Sequence, residues 1–243
     1  MPGPYKLYTL GDAALTIEVG TDFSVGQLQE IIHLKNRLLD AQLVGIKEII
    51  SAYNSLTLYI DAYQIYKQPN FQGSPIEWIQ LQIRSILDHP CSNKDVPGSL
   101  HQIPVCYHES LGTDLQRLAE KKNLPIPKLI DLHSAAVYNI YMIGFTPGFA
   151  YMGTVSGDLF TKRKDRPENI EAGSVAVAGW QTGIYPFKSP GGWHVLGRTP
   201  ITIFDPTKTY PVFWKPGDQV KFVPISLEEY HHLNSLKHVD THH

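Results

Sequence analysis

From Asn139 onward the chain repeats one feature: short runs of strand-forming residues, each closed off by Gly, Pro or Asp. The runs are NIYMIGF, SVAVAGW, WHVLG, PITIFD, YPVFW and QVKFVPI. Lys215-Pro-Gly-Asp218 is a turn signal between the last two. Many short strands with this punctuation argue for a closed or nearly closed β-barrel, an architecture that leaves few unpaired edges.

The upstream part reads differently. In DAALTIEVG, Leu15, Ile17 and Val19 alternate with Thr16 and Glu18, the period of two expected of a strand. Ser24 is placed to cap a helix whose apolar stripe is Val25, Leu28, Ile31, Ile32, Leu38 and Leu39. GIKEIISAYNSLTLYID is rich in strand formers and breaks near Asn54. Ser74-Pro75-Ile76-Glu77 is a capping box with proline at the first helical position. An order of strand, helix, strands, helix, strand predicts an α+β layer of ferredoxin-like type. The polar segment CSNKDVPGS marks a linker. The expected organisation is an α+β domain over residues 1–90, a linker over 91–100 and a mainly-β barrel over 101–243. Within the last part, HQIPVCY reads as a strand, Thr113 and Gln116 as a second capping box, and Pro127 as the opening of a helix that ends near His133.

Hydrophobic residues make up 42% of the chain and charged residues 18%, which suits a chain with a real core; the net charge of −2 offers no basic field for nucleic acid or anionic membrane. Cys91 and Cys106 are too few for a disulfide scaffold and read as reduced thiols. MPGPYKLYTLGDAAL lacks the basic and apolar regions of a secretory signal, and no run of about 18 apolar residues occurs. A cytoplasmic location is expected.

Three segments exceed what a plain barrel needs. In Gly144–Gly153, glycines and a proline force a compact loop, and Phe145, Phe149 and Tyr151 are candidates to wall a pocket. Glu171-Ala-Gly-Ser174 is the second. The third, GWQTGIYPFKSPGGWHVLGRTP from Gly179 to Pro200, combines five glycines with Trp180, Tyr185, Phe187 and Trp193, and carries Lys188, His194 and Arg198 but no carboxylate. Glycine amides approach a ligand closely, and the planar fork of Arg198 suits a carboxylate or phosphate. Gln181, Thr182 and Ser189 are side chains able to donate to an oxygen. The plain alternatives are that these glycines and prolines only make turns and that Arg198 forms a structural ion pair. His133 is a lesser candidate, with a core or capping role as its alternative. The tail histidines lack a ligand spacing, so no metal site is expected. Neither a Walker loop nor GxGxxG occurs.

IGFTPGFAYMG, EAGSVAVAGWQTGIYPFKSPGGWHVLGRTP and IPVCYHESLGTDLQRLA, with GDAAL, SAYNSL and the His133-Ser134 pair, resemble the signature blocks of the KipI family. This is also the family of the 5-oxoprolinase B subunit and of allophanate hydrolase subunit 1. The resemblance spans the chain and implies an α+β N-terminal domain followed by a cyclophilin-like barrel. It implies partners as well: the 5-oxoprolinase C subunit, itself cyclophilin-like, and the A subunit, with which 5-oxo-L-proline is opened to L-glutamate at the expense of ATP. The ATP is used by the complex and is not assigned to this chain. On this reading Gln181, Thr182, Tyr185 and Arg198 contact substrate or intermediate, Gly191 and Gly192 supply backbone donors, and Trp180 and Trp193 join the pocket wall. No general base is evident, and one from the partner chain is expected. The alternative carried by the family is a regulatory inhibitor of a sensor histidine kinase. An isomerase constellation is not found. The chain departs from the family pattern at Glu171, where proline is usual, at Trp180, where glycine is usual, and at Arg166-Pro167, where the order is usually reversed.

Overall fold

The computed structural model describes residues 5–21, 24–88 and 98–239. The chain divides into two units, Met1–Pro97 and Gly98–His243. Most of the segment read as a linker lies outside the described residues.

In the first unit, strands β1 (Tyr5–Leu10), β2 (Ala14–Val19), β3 (Ile46–Ser51) and β4 (Ser55–Ile60) form an antiparallel sheet in the order β1-β2-β4-β3. Helix α1 (Val25–Asp40) follows β2; the short α2 (Ala62–Tyr66) and α3 (Pro75–Asp88) follow β4. The helix starts are local in origin. The Ser24 hydroxyl accepts from the Gln27 N–H at 3.2 Å, while Ser74 and Glu77 bond each other's backbone N–H groups reciprocally. Leu15, Ile17 and Val19 pack with Ile31, Leu34 and Leu38 of α1 and with Ile79 and Ile83 of α3, all nearly inaccessible. Each such side chain contributes roughly 1.5–3 kcal/mol by leaving water. Thr16, on the opposite face of β2, is also buried, because its hydroxyl meets that of Thr57 at 2.9 Å across the sheet.

The ferredoxin-like order expected from the sequence is corrected in one respect. The final strand, placed after the second helix, does not join this sheet. The position beside β2 that it would take is filled by β1, because the Tyr5–Leu10 segment pairs with β2 along its whole length.

In the second unit, β5 (Leu100–Cys106) is followed by α4 (Leu115–Lys122), α5 (Ile126–Ala135), β6 (Val137–Ile143), β7 (Ala150–Gly153), β8 (Glu168–Ile170), β9 (Ser174–Ala178), β10 (Gln181–Ile184), β11 (Ser189–Gly191), β12 (His194–Arg198), β13 (Gln219–Ile225) and α6 (Leu227–Val239). Seven of these strands close into the expected barrel, in the order β10-β7-β6-β13-β5-β12-β9. Only β13 and β5 run parallel. Val105, Tyr138, Ile140, Val175, Val177, Leu196, Val220 and Phe222 share the core. β9 is buried on both faces: Val175 and Val177 enter that core, whereas Ala176 and Ala178 face a second cluster covered by the β8–β11 ribbon. PITIFD and YPVFW do not become strands and meet in one bridge, Phe204 to Val212. The turn at Lys215–Asp218 forms as read, with Gly217 at φ +92° and the Asp218 carboxylate accepting from the Lys215 N–H.

Candidate functional site

The expected capping box at Thr113–Gln116 is replaced by a different device. Asp114 stands at the N-cap of α4 without capping it, and Gln116 donates instead to Glu120 at 2.6 Å. The Asp114 carboxylate, 3% exposed, is engaged elsewhere. It accepts from the Val195 N–H at 2.8 Å, from Lys164 Nζ at 2.6 Å and from the Arg117 guanidinium at 2.5 Å. The Asp114 N–H in turn donates to the Val195 carbonyl. A buried carboxylate is costly without such partners; here it ties α4 to β12 and draws two cations to one place.

A second element meets it there. The segment Thr161–Arg166 is pinned at three points: Thr161 bridges Gly179, the Lys164 N–H donates to the Gly192 carbonyl at 2.7 Å, and His194 Nε2–H donates to the Lys162 carbonyl at 2.9 Å. Between this segment and α4 lies an open cleft of about 530 Å³. Arg117 and Lys121 line it from the helix, and Lys162, Arg163, Lys164 and Arg166 from the strand-like side, with His194 at its base. Asp165 and Glu168 are its only carboxylates among the described residues, and Glu168 pairs with Lys164 at 2.6 Å. Burial lowers the pKa of His194, and Lys164 and Arg117 add to that effect, although Lys162 and Asp114 oppose it. The imidazole is therefore neutral near pH 7.

Behind the segment is an aromatic cluster. Phe149, Tyr185 and Trp193 are buried, and with Tyr151 they make edge-to-face contacts with centroids 4.9 to 5.9 Å apart. Burial pushes the Tyr185 hydroxyl up to about 12 in spite of a hydrogen bond from the Trp193 backbone and the nearby charge of Arg163. A Cβ at Gly191 would lie 2.4 Å from that hydroxyl, so glycine is required by this ring. At Gly192 the nearest atom would be 3.6 Å away, an ordinary contact.

Inside the barrel a separate polar chain is complete. Tyr107 O–H meets His133 Nδ1 at 2.7 Å, His133 Nε2 meets Thr182 Oγ1 at 2.8 Å, and Thr182 donates to the Ala176 carbonyl at 3.1 Å. Since the Thr182 proton is committed to Ala176, Nε2 carries the imidazole proton and Nδ1 accepts from Tyr107. His133 also stacks on Phe222, and full burial lowers its pKa to about 3.

The carboxyltransferase domain family, subdomain C and D, matches residues 5–214. A Bacillus subtilis (strain 168) protein, the B subunit of 5-oxoprolinase, is 37% identical over 230 residues, which is 93% of this chain and 95% of the relative. The chain belongs to the 5-oxoprolinase B-subunit family. The Haemophilus influenzae member is 32% identical, with 92% of this chain and 99% of the relative covered. Among solved structures, TTHA0988 superposes with a TM-score of 0.74 at 30% identity; the match takes in 88% of this chain and 40% of TTHA0988, so this chain spans about two fifths of that protein.

Against this family background, the residues singled out in the sequence fall in four places. Thr182 and His133 are sealed in the barrel interior and present no surface to a ligand. Phe149, Tyr185 and Trp193 are a packed cluster instead of an open wall, with Tyr151 half-buried at its edge. Phe145, held at φ +69°, touches Phe149 but is largely exposed, and Trp180 leans on Phe160 with its ring half in solvent. Gln181 and Arg198 do not converge. Ala178 at one end of β9 pairs Gln181 and Ser174 at the other pairs Arg198, so four residues of extended chain, roughly 13 Å, separate them. Arg198 makes no ion pair among the described residues and its buried Nε has no partner; Lys188 takes the nearby Glu171 at 2.6 Å. Glu171, a departure from the family pattern, thereby replaces a rigid proline with an ion pair. Of the two glycines expected to supply donors, Gly192 instead accepts, its carbonyl taking the Lys164 N–H. The cleft cations have a signal in the sequence: Lys162-Arg163-Lys164-Asp165-Arg166 places four cations in five residues. That run reads as solvated surface until Asp114 is seen to gather its neighbours.

Proposed function

We propose that this chain is one component of a 5-oxoprolinase, an ATP-dependent cyclic-amide hydrolase that opens 5-oxo-L-proline to L-glutamate together with its A and C subunits. The observation that carries the reading is the end-to-end match to the 5-oxoprolinase B subunit of Bacillus subtilis, 37% identical over 95% of that protein. The chemistry fits the surface. A five-membered lactam is a stable amide, and phosphorylating its oxygen makes the carbonyl carbon a far better electrophile. Such a reaction needs fixed positive groups for phosphoryl and carboxylate oxygens. The cleft beside α4 and the unpartnered Arg198 offer them. His133 is sealed in the barrel with both ring nitrogens hydrogen-bonded, so it is not the general base, and on this reading a partner chain supplies that group. No described helix is long and apolar enough to cross a membrane.

The test is glutamate release from 5-oxoproline by the three purified chains mixed with ATP. Release that requires all three chains is the expected result. Absence of release from a mixture whose chains are folded and associated would overturn the reading, the more so if this chain instead suppressed autophosphorylation of a sensor kinase. Arg198→Ala is expected to lower turnover by about tenfold or more while the chain still associates.

A further inference from the structure

The sum of charge at the α4 cleft exceeds what a structural ion-pair network uses. Asp114 and Glu168 together occupy Lys164, and Asp114 also occupies Arg117. Lys121, Lys162, Arg163 and Arg166 line the same cleft with no carboxylate within ion-pair distance among the described residues. Like charges crowded on one concave surface repel one another, and an ordinary solvated face intersperses both signs. The scaffold nevertheless spends a buried carboxylate, a backbone clamp to Val195 and three pinning contacts on the Thr161–Arg166 segment to hold the cations together. A cleft lined by six cations and two carboxylates, on a chain whose net charge is −2, concentrates anions there.

We infer that the α4 cleft of this chain binds the phosphate chain of a polyphosphate-bearing small molecule, a nucleoside triphosphate or an inorganic polyphosphate. A monocarboxylate would answer one of the unpaired cations, whereas a run of phosphates spans several. Arg163 and Arg166 supply planar forks matched to phosphate oxygens, and Lys121 and Lys162 supply point charges. The volume is that of a small-molecule site and not of a macromolecular groove. Lys164 is held back by its two carboxylates and positions the segment without meeting the ligand. The inference deepens the proposed function by placing a phosphate donor on this chain, but the charge of the cleft carries it independently of the reaction.

The experiment is calorimetric titration of the purified chain with ATP and, separately, with inorganic tripolyphosphate. Saturable binding of either is expected. Equal affinities identify the phosphate chain as the recognised part, and tighter binding of ATP shows that the nucleoside is held too; both support the inference. Charge reversal at two exposed positions, Lys162→Glu with Arg166→Glu, is expected to weaken binding about a hundredfold, while Lys208→Ala, outside the cleft, leaves it unchanged. A thermal melt of the double variant within a few degrees of the parent establishes that the loss is local. No binding of either probe, or binding that survives the double reversal, would overturn the inference, as would an oligoglutamate peptide that binds as tightly as ATP. Since this uses the chain alone and the turnover test uses three chains, failure of one is distinguishable from failure of the other.

Discussion

Two histidines of the second unit are withdrawn from solvent, and burial lowers the pKa of both. His133, inside, has each ring nitrogen matched to one hydroxyl, and the chain of donors ends on the Ala176 carbonyl. Nothing is left over. His194 bonds a backbone carbonyl and lines a cleft where cations outnumber carboxylates six to two. A polar cluster whose donors and acceptors cancel stabilises a fold, because the low dielectric rewards complete pairing and penalises any remainder. A cluster that keeps a surplus of one sign at the surface, at some cost in repulsion, is arranged for something that is not part of the chain. The same distinction separates Thr182 from Arg198: the first has its hydrogen bonds filled, and the second keeps an unmatched Nε.

Four variants probe this contrast, in decreasing order of expected effect. Asp114→Ala strips the Val195 N–H and the almost inaccessible Lys164 amine of their shared acceptor, and should cost about 3 kcal/mol of unfolding free energy in denaturant titration. If it costs little, the cleft is not built around that carboxylate. His133→Phe keeps the stack on Phe222 but orphans Tyr107 and Thr182, for a loss of about 2 kcal/mol at pH 7.5. The pH dependence supplies an independent readout. The folded imidazole takes up a proton only near pH 3, whereas the unfolded one does so near its usual value of about 6.5. Its contribution is therefore complete above about pH 6.5 and is lost as the pH falls toward 3, at about 1.4 kcal/mol per pH unit. His133→Phe should flatten the acid side of the stability profile by one proton's worth of slope; an unchanged slope would mean that the ring is not held neutral. Gly191→Ala drives a methyl into the Tyr185 hydroxyl and Ile170, and should cost about 1.5 kcal/mol, with Gly192→Ala much milder. Lys162→Ala, at the exposed rim, should change stability by no more than about 0.5 kcal/mol while weakening polyphosphate binding. That pairing of a silent melt with an altered ligand isotherm is the reverse of what His133→Phe should show.

Much of the molecule is legible in the sequence, and the legible parts share a cause. The Ser24 cap, the Ser74–Glu77 box, the Lys215–Asp218 turn and the alternation in β2 are made by residues a few positions apart, so composition and spacing alone determine them. The number and shortness of the β-runs likewise implied closure. What went unread depends on partners far away in sequence. That β1 takes the place of a final strand is decided by pairing along β2. That Asp114 abandons its helix cap is decided by Val195 and Lys164, tens of residues downstream. That Gln181 and Arg198 stand at opposite ends of β9, although they share one glycine-rich block, is decided by the register of that strand between its two neighbours.

The sequence by itself determined the alternation of β2, the helix starts at Ser24 and Ser74, the turn at Lys215–Asp218, the family and the chemistry available. Tertiary structure alone decided which polar groups cancel and which remain in surplus, because hydrogen bonds within a turn are set by adjacent residues, whereas charge balance at a surface is a sum over elements that only folding brings together.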